Sequence, residues 1–393
     1  MREPDFTLTA GPITASHRTL AALGSPIIYD YDPVFLERFA DVEAKVAQLY
    51  RTENDVVLMQ GEAVLGLEAA ARGLVREGTT CLNLVSGVYG KWFGLWLNDL
   101  GANLIEVEVP YNEAIDPADV ERALKEHPET TVVSVVHSET PSGTVNPIAD
   151  ICPLAKEAGA ITIVDVVSSL GGAPVDPNGW ALDVCVAGPQ KCLSGPPGMS
   201  LVAVSDDAWD AMRANPGAPR GSFLSLLDWK ETWIEGGRRR FPYTPSVAEI
   251  HGVGAACDEV LEEGLDTIIE RHQRAARACR AGVKAMGLEL WARSESIAAT
   301  CVTAVQAPES VEVPSVLRHV RERYGVMLSG GFGELAERLF RIGHMGVASR
   351  SLNVVVGLSA LGRGLADLGV EVSVGEGVDA ALEVLSETTP VAA

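Results

Sequence analysis

Two short segments carry residue types that can do chemistry together. The first is the run Ala160, Ile161, Thr162, Ile163, Val164, Asp165; the second, about two dozen residues on, is Val186, Ala187, Gly188, Pro189, Gln190, Lys191. A β-branched run that ends in an acid predicts a buried parallel strand delivering a carboxylate at its C-terminal edge. Val184 to Ala187 predicts a second strand, whose turn presents one lysine. An acid and an amine at neighbouring strand ends suit a pyridoxal-type electron sink. The acid keeps the pyridine nitrogen protonated, and the amine condenses with the carbonyl as a Schiff base. The same two residues also fit an ordinary ion pair at the rim of an α/β sheet.

Further residues bear on that choice. Gly61-Glu62 opens a helix straight after a strand, and a helix N-terminus commonly holds a phosphate. The carboxylate of Glu62, expected in the first turn, would occupy that positive end and repel a phosphate dianion, although glutamate is favoured in any first turn. Tyr89, among glycines after the strand Leu82 to Val85, is placed to stack on a heteroaromatic ring; loop packing also accounts for it. Thr140 leaves the strand Val132 to Val136 in a polar turn that could hydrogen-bond a ring hydroxyl, while His137 reads as structural. Arg341, flanked by apolar residues and glycine, suits a bidentate carboxylate fork or a buried structural role. His344 reads as a satisfied loop histidine.

The elements that must position these residues follow from periodicity. Between about Asn54 and Gly221 short β-rich runs alternate with helical stretches: strands at Asp55–Met59, Thr80–Leu84, Leu104–Val109, Thr131–Val136, Ile161–Val164, Val184–Ala187 and Leu201–Val204, and helices such as Leu65–Val75, Asp116–Glu126 and Ile148–Ala158. That alternation specifies a mostly parallel α/β sheet, whose ligands bind beyond the carboxyl ends of the strands. After Ser246 the texture changes to a long helical period, Val247 to Met286, with glycine interruptions expected at Gly252 to Gly254 and at Gly264. A strand near Cys301–Val305, a helix over Ser315–Tyr324 and a strand at Val326–Ser329 complete a smaller α+β unit.

With 393 residues and 47% hydrophobic content the chain has material for two cores. A formal charge of −22 argues against nucleic acid as a partner. The only dense basic run, Arg238 to Arg240, is too short to reverse that, though it could line the entrance for an anionic substrate. Seven cysteines, with no CxxC pair and no metal spacing, point to a reducing cytoplasm and no metal. The N-terminus lacks an apolar signal segment, and no stretch is long enough to span a bilayer, so no membrane partner is expected.

In this order the segments resemble the class V branch of fold type I aminotransferases. The resemblance is carried by Thr9 to Pro12, the Asp165 strand, the Lys191 turn and the Arg341 segment, and extends through Tyr29 to Pro33, Val109 to Asp116 and Phe241 to Val247. It implies an N-terminal arm (1–20), a large catalytic α/β domain with a mostly parallel seven-stranded sheet (21–250) and a small C-terminal α+β domain (251–393). It further implies a homodimer or homotetramer with the active site at the subunit interface. Lys191 would form the Schiff base, Asp165 touch the pyridine nitrogen, Tyr89 stack on the ring, Thr140 approach its hydroxyl and Arg341 hold the substrate carboxylate. Gln190, Thr244 and Val167 are the expected cofactor-binding positions.

Three departures from the ordinary family pattern cluster at the phosphate site. Glu62 and Pro189 stand where relatives commonly carry hydroxylated residues, and Phe241 stands where they carry a tyrosine reaching in from the partner subunit. The resemblance therefore implies that unphosphorylated pyridoxal and pyridoxamine bind as substrates through Lys191, without a tightly held cofactor. The amino acceptor is then a 2-oxo acid, with pyruvate, giving L-alanine, the best guess. A fourth departure is Phe332, where an arginine for the substrate carboxylate is expected; its loss weakens oxo-acid binding by roughly 1.5–3 kcal/mol if nothing replaces it. Two other readings remain: a conventional pyridoxal 5'-phosphate enzyme using glyoxylate as acceptor, and a non-catalytic pyridoxal-binding protein.

Overall fold

The structure is a computed structural model that describes residues 3–387. Seven strands form its main sheet: β1 (Asp55–Gln60), β2 (Thr80–Val85), β3 (Asn103–Glu108), β4 (Val132–Val136), β5 (Ile161–Asp165), β6 (Val184–Ala187) and β7 (Met199–Val204). Their spatial order is β1-β7-β6-β5-β4-β2-β3, with β7 antiparallel to both neighbours and every other pair parallel. β1 and β6 thus run the same way, and six strands bring their carboxyl ends to one edge. A mostly parallel seven-stranded sheet is what the resemblance implies for the large domain.

Side-chain pattern explains the order. The central strands β2, β4 and β6 are buried along their whole length, as continuous apolar runs covered on both faces must be. Edge strand β3 instead turns Glu106 and Glu108 toward solvent, where Lys91 bonds both carboxylates at 2.8 and 2.9 Å.

The helices over this sheet are α1 (His17–Leu23), α2 (Pro33–Tyr50), α3 (Ala63–Leu74), α4 (Val88–Asp99), α5 (Pro117–Glu126), α6 (Ile148–Glu157), α7 (Asp206–Ala214) and α8 (Val247–Glu263). Asp116 caps α5 by accepting from the Ala118 N–H, with Pro117 in the first turn where no N–H is needed. Tyr89, expected in a loop, lies in the first turn of α4.

The expected break at Gly252 to Gly254 does not occur; α8 runs through it and ends at Gly264, whose φ is 91°. The reason is packing. A methyl group on Gly252 would meet Leu23 of α1 at 2.9 Å, and one on Gly254 would meet Val42 of α2 at 2.9 Å. Those glycines let helices approach closely, whereas Gly264 supplies the backbone conformation that ends the helix.

A second core gathers around α9 (Leu265–Ala285), α10 (Val313–Tyr324), α11 (Ser351–Asp367) and α12 (Val374–Ser386), packed with a three-stranded antiparallel sheet. Its strands are β8 (Val302–Gln306), β9 (Ser329–Gly330) and β10 (Leu339–Gly343), in the order β8-β10-β9. The strand expected at Val326–Ser329 splits into Val326–Met327 and Ser329–Gly330, and Val326–Met327 pairs with Phe6–Thr7 instead. That pairing draws the N-terminal segment across the molecule and toward the strand ends of the main sheet. Among the described residues no helix is long and apolar enough to cross a membrane, and no group of acids, histidines and cysteines is arranged to hold a metal ion.

Candidate active site

Strand register places the two chemical residues side by side. Asp165 ends β5 directly opposite Val136 of β4 and Val186 of β6, and the turn leaving β6 carries Lys191. Both line one cavity of about 210 Å³ together with Glu62, Val64, Leu67, Tyr89, Trp92, Phe93, Trp96, Val167 and Ser168.

Lys191 is 8% exposed, and its Nζ donates to the Ala10 carbonyl at 2.8 Å. Burial pulls its pKa down from the usual lysine range, with the Arg341 guanidinium acting the same way. An amine kept neutral more readily is a better nucleophile and proton carrier. The N-terminal segment closes over it: Gly11 has φ 98°, and a methyl group there would sit 2.6 Å from Nζ. Only glycine combines that conformation with that approach.

The Asp165 carboxyl faces the cavity, and its Oδ1 accepts the Val167 N–H at 2.8 Å. Removal from water raises its pKa to about 6, against the pull of that N–H and of Lys191. It remains an anion at neutral pH with one oxygen available to a ligand.

Glu62 is the N-cap of α3 rather than a member of its first turn. Its Oε2 accepts the Val64 N–H at 2.9 Å, and its Oε1 accepts from Gln190 Nε2 at 2.6 Å. The carboxylate therefore occupies the positive helix end itself, and the Gln190 donor is committed to it. Thr140 is fully buried, and its Oγ1 has no hydrogen-bond partner, an orphan that a ligand hydroxyl could satisfy.

Arg341, on β10, reaches across from the second core. Its Nη1 donates to the Thr140 carbonyl at 3.0 Å and its Nε to the Gly330 carbonyl. Phe332 follows two residues after Gly330 and is 40% exposed, with its ring 5.1 Å from that of Trp92 and 6.3 Å from that of Tyr89.

Other sequence candidates sit elsewhere. Thr244 is exposed and lies outside the residues lining the cavity. Phe241 is buried in its own protomer, stacked on Trp233 with ring centroids 4.4 Å apart and packed against Phe39. Pro189 is buried in the turn before Lys191, where its carbonyl accepts the Gly195 N–H. His137 bonds Ser169 at 2.9 Å and His344 bonds Thr303 at 2.8 Å, both neutral because burial lowers their pKa values to about 4 and about 3.

One residue of the site escapes a reading of the sequence. Glu139 is fully buried and accepts the backbone N–H groups of Tyr89 at 3.2 Å and Gly90 at 2.7 Å, anchoring the start of α4 and with it the Tyr89 ring. Burial raises its pKa to about 7 against those two bonds. In the sequence it stands in a polar stretch typical of turns, and nothing local links it to a helix start 50 residues earlier.

Comparison with known proteins identifies the setting. The family described as aminotransferase class-V matches residues 17–340. The pyridoxamine–pyruvate transaminase of Mesorhizobium japonicum is 47% identical over 383 residues, covering 98% of this chain and 97% of that protein. The crystal structure of pyridoxamine–pyruvate aminotransferase from Mesorhizobium loti matches with a TM-score of 0.95 at 47% identity, over 98% of this chain and 97% of that one. Ureidoglycine–glyoxylate aminotransferase from Bacillus subtilis matches with a TM-score of 0.93 at 28% identity, over 98% of this chain and 100% of that one. This chain belongs to the class V aminotransferases and is a transferase built for pyridoxal-type chemistry.

Proposed function

We propose that this enzyme moves an amino group between unphosphorylated pyridoxamine and a 2-oxo acid, with pyridoxal bound as a substrate at Lys191 rather than held as a resident phosphate ester. Pyruvate is the acceptor named for the relative at 47% identity, and here it would give L-alanine. The observation that carries the reading is the Glu62 carboxylate, which caps α3 and is bonded by Gln190. A carboxylate accepts a hydrogen bond from a hydroxymethyl group and repels a phosphate dianion.

The residues at the cavity fit a pyridoxal ring. Lys191 would hold its carbonyl carbon, Asp165 its ring nitrogen, the orphaned Thr140 hydroxyl its phenolic oxygen and Glu62 its hydroxymethyl group, with Tyr89 and Val167 against the ring. When bound, the vitamer supplies the electron sink for a carbon that loses a proton.

The chain's own residues supply the rest. Asp165, kept anionic at neutral pH, stabilises a protonated ring nitrogen in a site screened from water. Arg341 orients the acid through its carboxylate, while its bonds to the carbonyls of Thr140 and Gly330 fix the guanidinium plane. Lys191 Nζ, released from the Ala10 carbonyl, takes the proton from the methylene carbon of the amino donor and returns it to the α-carbon of the acid. The buried floor keeps that proton from exchanging with solvent.

Val64, in the first turn of α3, lines the cavity yet is 47% exposed. An apolar side chain left open at the mouth supports a homo-oligomer in which a second copy of the chain completes the site, a state that light scattering measures.

The test is the visible spectrum of the purified enzyme, followed by an assay. A colourless protein that develops an absorbance band with pyridoxal, and releases pyridoxal from pyridoxamine when a 2-oxo acid is added, is the expected result. A protein that arrives yellow, carrying tightly held pyridoxal phosphate, sinks the substrate reading in favour of a conventional aminotransferase.

A further inference from the structure

Phe332, Trp92 and Tyr89 form a cluster of three rings at the lip of the cavity. Phe332 and Trp92 meet edge to face at 72°, as do Tyr89 and Trp92 at 76°, with Tyr89 to Trp92 centroids 6.0 Å apart. Trp92 belongs to the cavity wall, and Phe332 packs against it from outside the lining. Both are open to solvent, at 43% and 40%. An aromatic surface so exposed gains most when a ligand covers it.

The lip is tied to the carboxylate fork. Ser329 of β9 pairs with Arg341 of β10, the Gly330 carbonyl accepts from Arg341, and Phe332 comes two residues later in the same hairpin. The Arg341 guanidinium also lies within electrostatic reach of Tyr89, whose ring neighbours those of Phe332 and Trp92, so the fork and the ring cluster share one neighbourhood.

Charge points the same way. The cation on α4 nearest the lip, Lys91, is bonded to Glu106 and Glu108. Arg338, at the far end of the hairpin, lies over the Trp291 ring at 4.7 Å. Glu334 follows Phe332 by two residues and adds negative charge. Among the described residues, Lys91 is already paired, Arg338 sits over Trp291 and Arg341 is assigned to the first carboxylate, so a second carboxylate on the substrate is disfavoured beside Glu334.

We infer that the amino acceptor is a 2-oxo acid whose side chain is apolar and larger than methyl, branched or aromatic, with Phe332 and Trp92 as its specificity-determining contacts. This rests on the transaminase reading and refines its acceptor. The transfer balances without a further reagent. The acceptor's carbonyl oxygen leaves as water and returns on the vitamer carbon, and the nitrogen and two electrons pass from pyridoxamine to the acid.

The experiment is kcat/KM of the enzyme with pyridoxamine and each of pyruvate, 4-methyl-2-oxopentanoate, phenylpyruvate and oxaloacetate. We expect at least one of the two large apolar acids to exceed pyruvate by roughly tenfold or more, since one methylene-sized contact in an apolar site is worth about that factor, and oxaloacetate to fall below pyruvate. Phe332→Ala should bring the ratio of the preferred acid to pyruvate to within about threefold, with Phe332→Leu retaining most of it for the branched acid. A wild-type preference for pyruvate or oxaloacetate overturns the apolar subsite while leaving the transaminase reading intact. It is the outcome expected if a second copy of the chain, and not substrate, covers these rings. An unchanged ratio in Phe332→Ala removes Phe332 as determinant. No turnover with any acid overturns the transaminase reading and the subsite with it.

Discussion

Lys191 lies on the floor of the site and Phe332 at its lip, the first 8% and the second 40% exposed. The floor belongs to the main sheet, and its ionisable groups are shifted because water is excluded: Lys191 downward, Asp165 up to about 6 and Glu139 up to about 7. The lip joins Phe332, from a hairpin of the second core, to Tyr89 and Trp92 of α4, and its rings touch one another and solvent. Desolvation on the floor makes charge expensive and therefore reactive, while exposure at the lip leaves a surface whose energy depends on what covers it. Substitutions on the floor should therefore abolish or reshape chemistry, and those at the lip should redistribute substrates.

The strongest break of that contrast is Lys191→Ala. Turnover of pyridoxamine with any 2-oxo acid should fall by roughly 10³-fold or more, because nucleophile and proton carrier are lost together. Residual transamination near the wild-type rate would remove Lys191 from its role. Arg341→Ala lies between floor and lip, since its side chain is buried yet anchored in the hairpin. Loss of charge-assisted bonds to a carboxylate should raise KM for the oxo acid about 10- to 100-fold and leave pyridoxal binding, followed by absorbance, much less affected. Equal loss of both would mean that Arg341 serves the floor.

Glu139 sharpens the floor's electrostatics through stability. Its pKa in the folded protein, about 7, lies above the ordinary glutamate value, so its contribution is present at low pH and lost as pH rises through about 7. The groups facing it are the Tyr89 and Gly90 N–H donors, which favour its anion, and Asp165, which opposes it. Between pH 5 and pH 8 this one group should cost at most about 3 kcal/mol. Denaturant unfolding of the vitamer-free protein at fixed concentration should show a flatter pH dependence in Glu139→Gln than in wild type, and parallel profiles would contradict the assignment. The smallest effect is expected from Glu62→Ser. Serine is also a good N-cap, so stability should change by only a few tenths of a kcal/mol. KM for pyridoxamine should nonetheless rise severalfold, and an unchanged KM would reduce Glu62 to a cap.

Much of the fold is legible along the chain because its signals are local. The run from Ile161 to Asp165 declares a buried strand with an acid at its end, and the strand ending at Ala187 declares the turn that carries Lys191. Glycine is read less well, because the same residue serves two ends. Gly264 terminates α8 through its backbone, whereas Gly252 and Gly254 sit inside it to admit Leu23 and Val42. Tyr89 fails for a related reason: glycines on either side suggest a loop, yet Glu139 bonds the N–H groups that start a helix there.

Sequence alone determined the alternation of strand and helix, the acid and lysine at adjacent strand ends and the family to which they belong, since each rests on side-chain periodicity or on short ordered segments. Tertiary structure decided what no window of residues contains. It sets the Ala10 carbonyl on Lys191, ties Glu62 to Gln190 across 128 positions and brings Arg341 to Thr140 across 201. Those contacts depend on the order of strands in the sheet and on how the second core closes over its edge, and both are settled by the burial of apolar surface over the whole chain.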